Sequence, residues 1–210
     1  PFSLQRANPF GALKHLGKLP GVHKLLLIYF LYMMAFAVYP SVWSYFGQER
    51  FEWTPAIIGY SLGLFGLAMA LVQAGGIRLA LRWFGERGTV VAGHVFAICA
   101  YFALASVTSG ALALILTPLA ALAGVIPPAL QGIMSQRVAD NAQGELQGAL
   151  TSASSLAMII SPLVMTATFA TFTQSGAPVY MPGAPFGVAL LLSLVSLILF
   201  LRRRAVGDVA

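Results

Sequence analysis

Five aromatic residues, Tyr29, Tyr32, Phe36, Tyr39 and Trp43, recur at spacings of 3, 4, 3 and 4, the step that puts side chains on one face of an α-helix. A stripe of rings with hydroxyls suits a flat amphipathic ligand, because the rings stack while the tyrosines supply a few polar contacts. The same stripe would serve helix packing, with Tyr39, Trp43 and Tyr45 as a belt at a membrane interface. Phe65, Met69 and Gln73 share a second helical face, and Met is a soft filler at permissive binding surfaces. Gln73 and Gln131 are amides in apolar surroundings, so they must face protein or water, touching a ligand or bridging helices. Tyr32, Phe36, Tyr39, Phe65, Met69, Gln73 and Gln131 are therefore the candidate cavity residues.

Conventional catalytic chemistry finds little support. His94 is the one titratable group inside an apolar stretch. Such groups are functional candidates by default, but its place near one end of the stretch favours a neutral packing histidine. The single cysteine, Cys99, also lies in an apolar run, so no intramolecular disulfide can form. Gly59-Tyr60-Ser61-Leu62-Gly63 fits the G-x-S-x-G pattern, which marks a nucleophile only at a strand-turn-helix elbow with a histidine and an acid nearby. Metal-ligand clusters, phosphate loops and paired carboxylates are absent from the sequence, and no cofactor is expected.

The elements that must hold these residues follow from charge placement. Of 210 residues 59% are hydrophobic and 9% charged, with a mean hydropathy of +0.84, against about 25% charged in a soluble domain. Four runs carry no Asp, Glu, Lys or Arg: Leu25 to Gln48, Trp53 to Ile77, Gly88 to Gln136 and Leu146 to Leu201. A spanning helix needs about 20 apolar residues, so the first two runs hold one span each and the last two hold a pair each. The fold class is an all-α membrane protein with six transmembrane helices near 24–46, 56–81, 89–107, 110–134, 146–172 and 185–201. A barrel is excluded because its strands would alternate apolar and polar residues. The connections then alternate sides. Arg6, Lys14, Lys18, Lys24, Arg78, Arg82, Arg87, Arg137, Arg202, Arg203 and Arg204 fall on one side, and Arg50 alone among the basic residues falls on the other. The positive-inside rule makes the first side cytoplasmic and leaves both termini there. The net charge of +6 is thus an orientation signal and not a nucleic-acid footprint.

Prolines interrupt corresponding helices. Pro40 lies late in the first span, and Pro127 and Pro128 lie late in the fourth; Gly75-Gly76 and Ser161-Pro162 echo one another in the second and fifth. Breaks at matching places in two antiparallel halves point to a 3+3 inverted repeat, a transporter building block. Proline and glycine are also simply common in membrane helices.

Two ordered sets of residues go further. Glu49-Arg50-Phe51, Ile58-Gly59, Ser61-Leu62, Phe65-Gly66, Gln73-Ala74 and Gly85-Glu86-Arg87 form one. Pro128-Ala129-Leu130-Gln131, Ser135, Val138, Gln143-Gly144, Leu146-Gln147-Gly148, Leu150 and Pro162-Leu163 form the other. Together they resemble the C-terminal half of tetracycline/proton antiporters of the major facilitator superfamily. The resemblance implies helices seven to twelve of a twelve-helix transporter in a bacterial inner membrane. Residues 1–23 would belong to the central cytoplasmic loop, 24–201 would form the six-helix bundle, and 202–210 would be a cytoplasmic tail. It implies a proton-coupled exporter of small amphipathic molecules or drugs, working by alternating access; a metabolite exporter of the same fold and a self-contained six-helix homodimer are the alternatives. The chain departs from the family at two places: the positions of its eighth-helix His and ninth-helix Asp are Met69 and Ala97. Protons would then be handled by an N-terminal half.

Arg82, Gly85, Glu86 and Arg87 resemble a degenerate copy of the superfamily's cytoplasmic loop motif, without its Asp. Asp140 and Glu145 sit where the fifth span begins, a place the helix dipole favours for acids. Pairing of Arg82 or Arg87 with these acids would latch the cytoplasmic side, although solvated loop charges would satisfy the topology equally. Arg87→Ala should speed opening and shift the balance of outward- and inward-facing states; an unchanged transport rate and an unchanged balance would remove the latch.

Overall fold

A computed structural model of the chain describes residues 22–177 and 179–202. The expected segment 1–23 up to Gly21, with Arg6, Lys14 and Lys18, lies outside the described residues, as do Arg203 and Arg204. The secondary structure described is helical: α1 (Val22–Phe36), α2 (Val38–Phe51), α3 (Pro55–Leu71), a π-helical turn (Val72–Gly76), α4 (Ile77–Ser106), α5 (Gly110–Ala121), a 3-10 turn (Leu122–Val125), α6 (Ile126–Ser135), a second 3-10 turn (Asp140–Ala142), α7 (Gln143–Thr173) and α8 (Ala184–Leu201). Five continuous helices among the described residues are long and apolar enough to cross a membrane: Val22–Phe51, Pro55–Ser106, Gly110–Ser135, Asp140–Thr173 and Ala184–Leu201.

Five helices stand where six spans were expected because the second and third run on without a loop. Pro55–Ser106 has 52 residues, about 78 Å of helix against a hydrocarbon core of about 30 Å. Within it Gly85 leaves helical geometry at φ 64°, ψ 178°, a left-handed conformation that glycine adopts without a Cβ penalty. Cross-contacts locate the two ends of the molecule. Arg50 Nε donates to the Val107 carbonyl at 3.1 Å, and Tyr180 donates to Glu49 at 2.8 Å. A Cβ on Gly110 would strike the Trp53 indole, and one on Gly183 would strike the Ala105 carbonyl. At the other end Gln136 Nε2 donates to Glu86 at 2.8 Å, and the Arg87 guanidinium lies over the Phe200 ring.

Local chemistry accounts for the element ends. α2 closes with the Glu52 N–H on the Gln48 carbonyl and the Trp53 N–H on the Gly47 carbonyl, a left-handed C-terminal cap with Glu52 at φ 55°. Thr54 then caps α3 by accepting from the Ile57 N–H, with Pro55 in the first turn. The break in the first span falls at Ala37, three residues before Pro40: a proline offers no N–H to the carbonyl four residues back, here that of Phe36. The fourth span tightens into its 3-10 turn just ahead of Pro127 and Pro128. The echo expected between the second and fifth spans is not seen. The second widens into a π turn at Val72–Gly76, whereas α7 runs unbroken through Pro162.

The core gathers around α1 and α2, where Phe46 meets Phe186 at 4.9 Å and Phe51 at 5.2 Å between ring centroids. A buried polar tie links three helices: His94 Nδ1 donates to the Val90 carbonyl at 2.8 Å, and Nε2 lies 2.9 Å from the Ser196 hydroxyl, itself 3.1 Å from the Ile28 carbonyl. Both side chains are fully buried. Ser196→Ala should cost about 1–3 kcal/mol, the usual cost of stranding a buried polar group; an unchanged thermal midpoint in detergent would show that the tie contributes nothing.

Candidate functional site

The π turn of the second span packs against the 3-10 turn of the fourth beside a recess of about 260 Å³. α1 contributes Tyr32, Met33 and Phe36 to its wall, the second span contributes Met69, Gln73 and Ile77, and the fourth contributes Gly124, Pro127, Pro128 and Gln131. The fourth-span set recurs at spacings of 3, 1 and 3, one face of a helix. Every side chain on the wall is uncharged.

The wall depends on the broken backbone. Pro127 removes the N–H that would have met the Ala123 carbonyl, and the Tyr32 hydroxyl donates to that carbonyl at 2.9 Å. This bond fixes the ring of Tyr32, which is fully buried, stacks with Phe36 at 6.0 Å and meets His94 edge-on at 5.9 Å. On the opposite wall the Met69 thioether packs against Gly124, where a Cβ would stand 2.9 Å from its sulfur. Gly93 allows α4 to press close behind, since a Cβ there would meet Ile126 at 2.5 Å.

Five of the seven residues singled out from the sequence line this recess: Tyr32, Phe36, Met69, Gln73 and Gln131. Gln73 is exposed at the mouth and Gln131 is half-buried within. The other two stand behind it. Tyr39 is buried among Phe65, Trp43, Tyr101 and Phe186, with no partner for its hydroxyl among the described residues, and is a packing residue in this structure. Phe65 stacks on Tyr39 at 5.1 Å and reaches toward Phe36 at 6.2 Å. Met33, Ile77 and Gly124 were not foreseen, although the four-residue steps from Met69 to Gln73 to Ile77 already place Ile77 on the same face.

Among the loop residues, Arg82, Gly85, Arg87, Asp140 and Glu145 are exposed and Glu86 is half-buried. One link between the two turns is Gln136 Nε2 donating to Glu86, with Gly132 leaving just enough room for the Glu86 carboxylate. Gln143 adds a brace by donating to the carbonyls of Ser135 and Val138 at 2.9 and 3.1 Å. At the opposite end, the Glu49 carboxylate that accepts from Tyr180 holds that phenol above its usual pKa. Ser61, the middle of the G-x-S-x-G pattern, donates to the Ile58 carbonyl of its own helix and accepts from Trp43 Nε1 at 2.8 Å. His94 is engaged elsewhere, so the hydrolase pattern assembles no site.

Comparison with known proteins agrees with this architecture. The profile of the Major Facilitator Superfamily matches residues 25–209. The chain is 35% identical to the class C tetracycline resistance protein of Escherichia coli over 170 residues, 81% of this chain and 43% of that protein. It is 39% identical to the class E protein of Escherichia coli over 140 residues, 67% and 35% of the two chains. It is 35% identical to the class G protein of Vibrio anguillarum over 164 residues, 78% and 42% of the two. The chain thus spans less than half the length of each of these relatives, and no solved structure matches it. With apolar helices of spanning length and a profile match over most of its residues, the chain belongs to the major facilitator superfamily of integral membrane transporters.

Proposed function

We propose that the chain is the C-terminal half of a secondary exporter of amphipathic small molecules, with the recess as its share of the substrate cavity. The observation that carries this reading is the convergence of Tyr32, Phe36, Met69, Gln73 and Gln131 on one uncharged recess beside two broken helices. At about 260 Å³ the recess is smaller than the roughly 300–1,000 Å³ of sites for drug-sized ligands, so a second surface must complete it. Relatives named for tetracycline resistance support a drug as the exported class.

In this reading Pro55–Ser106 makes two crossings that reverse at Gly85, for six in all, with residues 50, 107 and 183 at the outer end and 86, 136 and 202 at the cytoplasmic end. Residues 24–201 form the bundle, paired 3+3, and both termini are cytoplasmic in a bacterial inner membrane. Two faces await a partner. Only 17% of the most apolar window is buried in Pro55–Ser106 and in Asp140–Thr173, against 61% in Val22–Phe51. On those faces Gly59, Gly63 and Gly66 of α3 and Gly148, Thr151 and Ser155 of α7 are exposed, and small or hydroxyl residues suit a helix interface better than lipid. An N-terminal half seated there would rock against this one around the recess, with the cytoplasmic turns near Glu86 and Gln136 parting as it opens.

The charge-free spans hold no acid, so the proton-binding carboxylate belongs to the other half. The chain alone in vesicles should therefore show no pH-driven uptake, and uptake driven by a proton gradient would overturn this assignment. In the complete transporter Phe36→Ala and Gln131→Leu should each lower export about three- to tenfold at unchanged expression, the loss expected for one stacking or hydrogen-bonding contact. Unchanged export by both variants would move the substrate away from this recess. A homodimer of this chain, seen by cross-linking at Gly63→Cys in cells that make no N-terminal half, would replace the half-transporter reading.

A further inference from the structure

The Pro127-Pro128 pair does more than bend the fourth span. A helical carbonyl is met by the N–H three or four residues on. For Gly124 those residues are Pro127 and Pro128, and neither has an N–H. The neighbouring Ala123 carbonyl shows how the structure treats the same problem: it receives the Ile126 N–H and the Tyr32 hydroxyl at 2.9 Å. Gly124 has neither of its intrahelical donors, yet it lies on the recess wall. Having no side chain, it presents only backbone there. An acceptor without its donors at membrane depth is costly unless something in a cavity meets it.

The geometry points to the Gly124 carbonyl as a substrate contact, taking an N–H or O–H donor of a flat, apolar ligand whose rings lie against Tyr32 and Phe36. This rests on the recess being the substrate cavity and names the chemistry it selects. The uncharged wall offers no counter-charge to an anion, whereas a backbone carbonyl flanked by Gln73 and Gln131 favours a donor. Pro127 and Pro128 then act as specificity-determining residues, because they keep this acceptor out of the helix.

Two neutral fluorescent probes test it: 2-aminoanthracene, which carries an N–H donor, and its N,N-dimethyl derivative, which does not. Binding is measured to the full chain as the cell makes it, in lipid nanodiscs, against empty nanodiscs. The wild type should prefer the amine about three- to tenfold, the yield of one hydrogen bond. Pro128→Ala restores the N–H four residues on from Gly124 and should bring the ratio to about one with the dimethyl probe still bound at wild-type strength. Pro127→Leu and Pro127→Val are unsuitable because they add bulk to the wall; Gln73→Leu and Gln131→Leu test the two wall amides as rival acceptors and should weaken both probes together while keeping their ratio. Equal binding of the two probes by the wild type, or a preference that survives in Pro128→Ala, overturns the assignment. Should Pro128→Ala lose both probes, the glutamine variants decide: a preference lost in either assigns the acceptor to that side-chain amide oxygen and overturns it, and a preference kept in both upholds it. Probe selectivity without any export by the complete transporter would sink the export reading and leave this contact standing.

Discussion

In a bilayer there is no water to satisfy a backbone group that loses its partner, and this constraint shapes the centre of the molecule. Pro40, Pro127 and Pro128 each withhold an N–H from the preceding turn. The chain answers with a break at Ala37, a 3-10 turn at Leu122–Val125 and the hydroxyl of Tyr32 on the Ala123 carbonyl. These adjustments cluster around the recess. The Tyr32 side chain that completes the Ala123 carbonyl also holds an aromatic ring on the wall of the recess.

Close packing does the remaining positioning. Gly93 lets α4 approach the broken span until a Cβ would collide with Ile126, and Gly124 lets the Met69 thioether reach the 3-10 turn. The π turn beside Met69 is wide where the 3-10 turn opposite is tight. A recess between unequal turns of this kind is set by backbone geometry, with side chains lining it afterwards. The aromatic stripe divides accordingly. Tyr32 and Phe36 lie at the level of the breaks and reach the recess, whereas Tyr39 and Trp43, a turn or two further on, are gripped by Tyr101 and Phe186.

Much of this was legible in the residues, for identifiable reasons. The stretches free of charge marked the apolar helices of spanning length, because a charge in hydrocarbon is expensive wherever it occurs, but not that the second and third would run on as one. Helical spacing brought Tyr32 and Phe36 together, and Met69 with Gln73, because that period is a property of the chain alone. The spacing could not separate Tyr39 from Tyr32, since both share the face and only the neighbouring helices decide which is covered. The partner of Glu86 was equally hidden: Gln136, an uncharged residue fifty positions away, carries no electrostatic signature.

By itself the sequence determined which stretches are apolar enough to cross a membrane and that no carboxylate lies within its apolar runs, because hydropathy and residue type need no knowledge of neighbours; it did not determine which prolines break a helix, since α7 runs unbroken through Pro162. Tertiary structure alone decided where the fold turns and what meets the orphaned carbonyls. Gly85 kinks the 52-residue helix without a loop by taking a positive φ. Tyr32 reaches Ala123 across 91 positions of sequence, a pairing that exists only once the helices are packed.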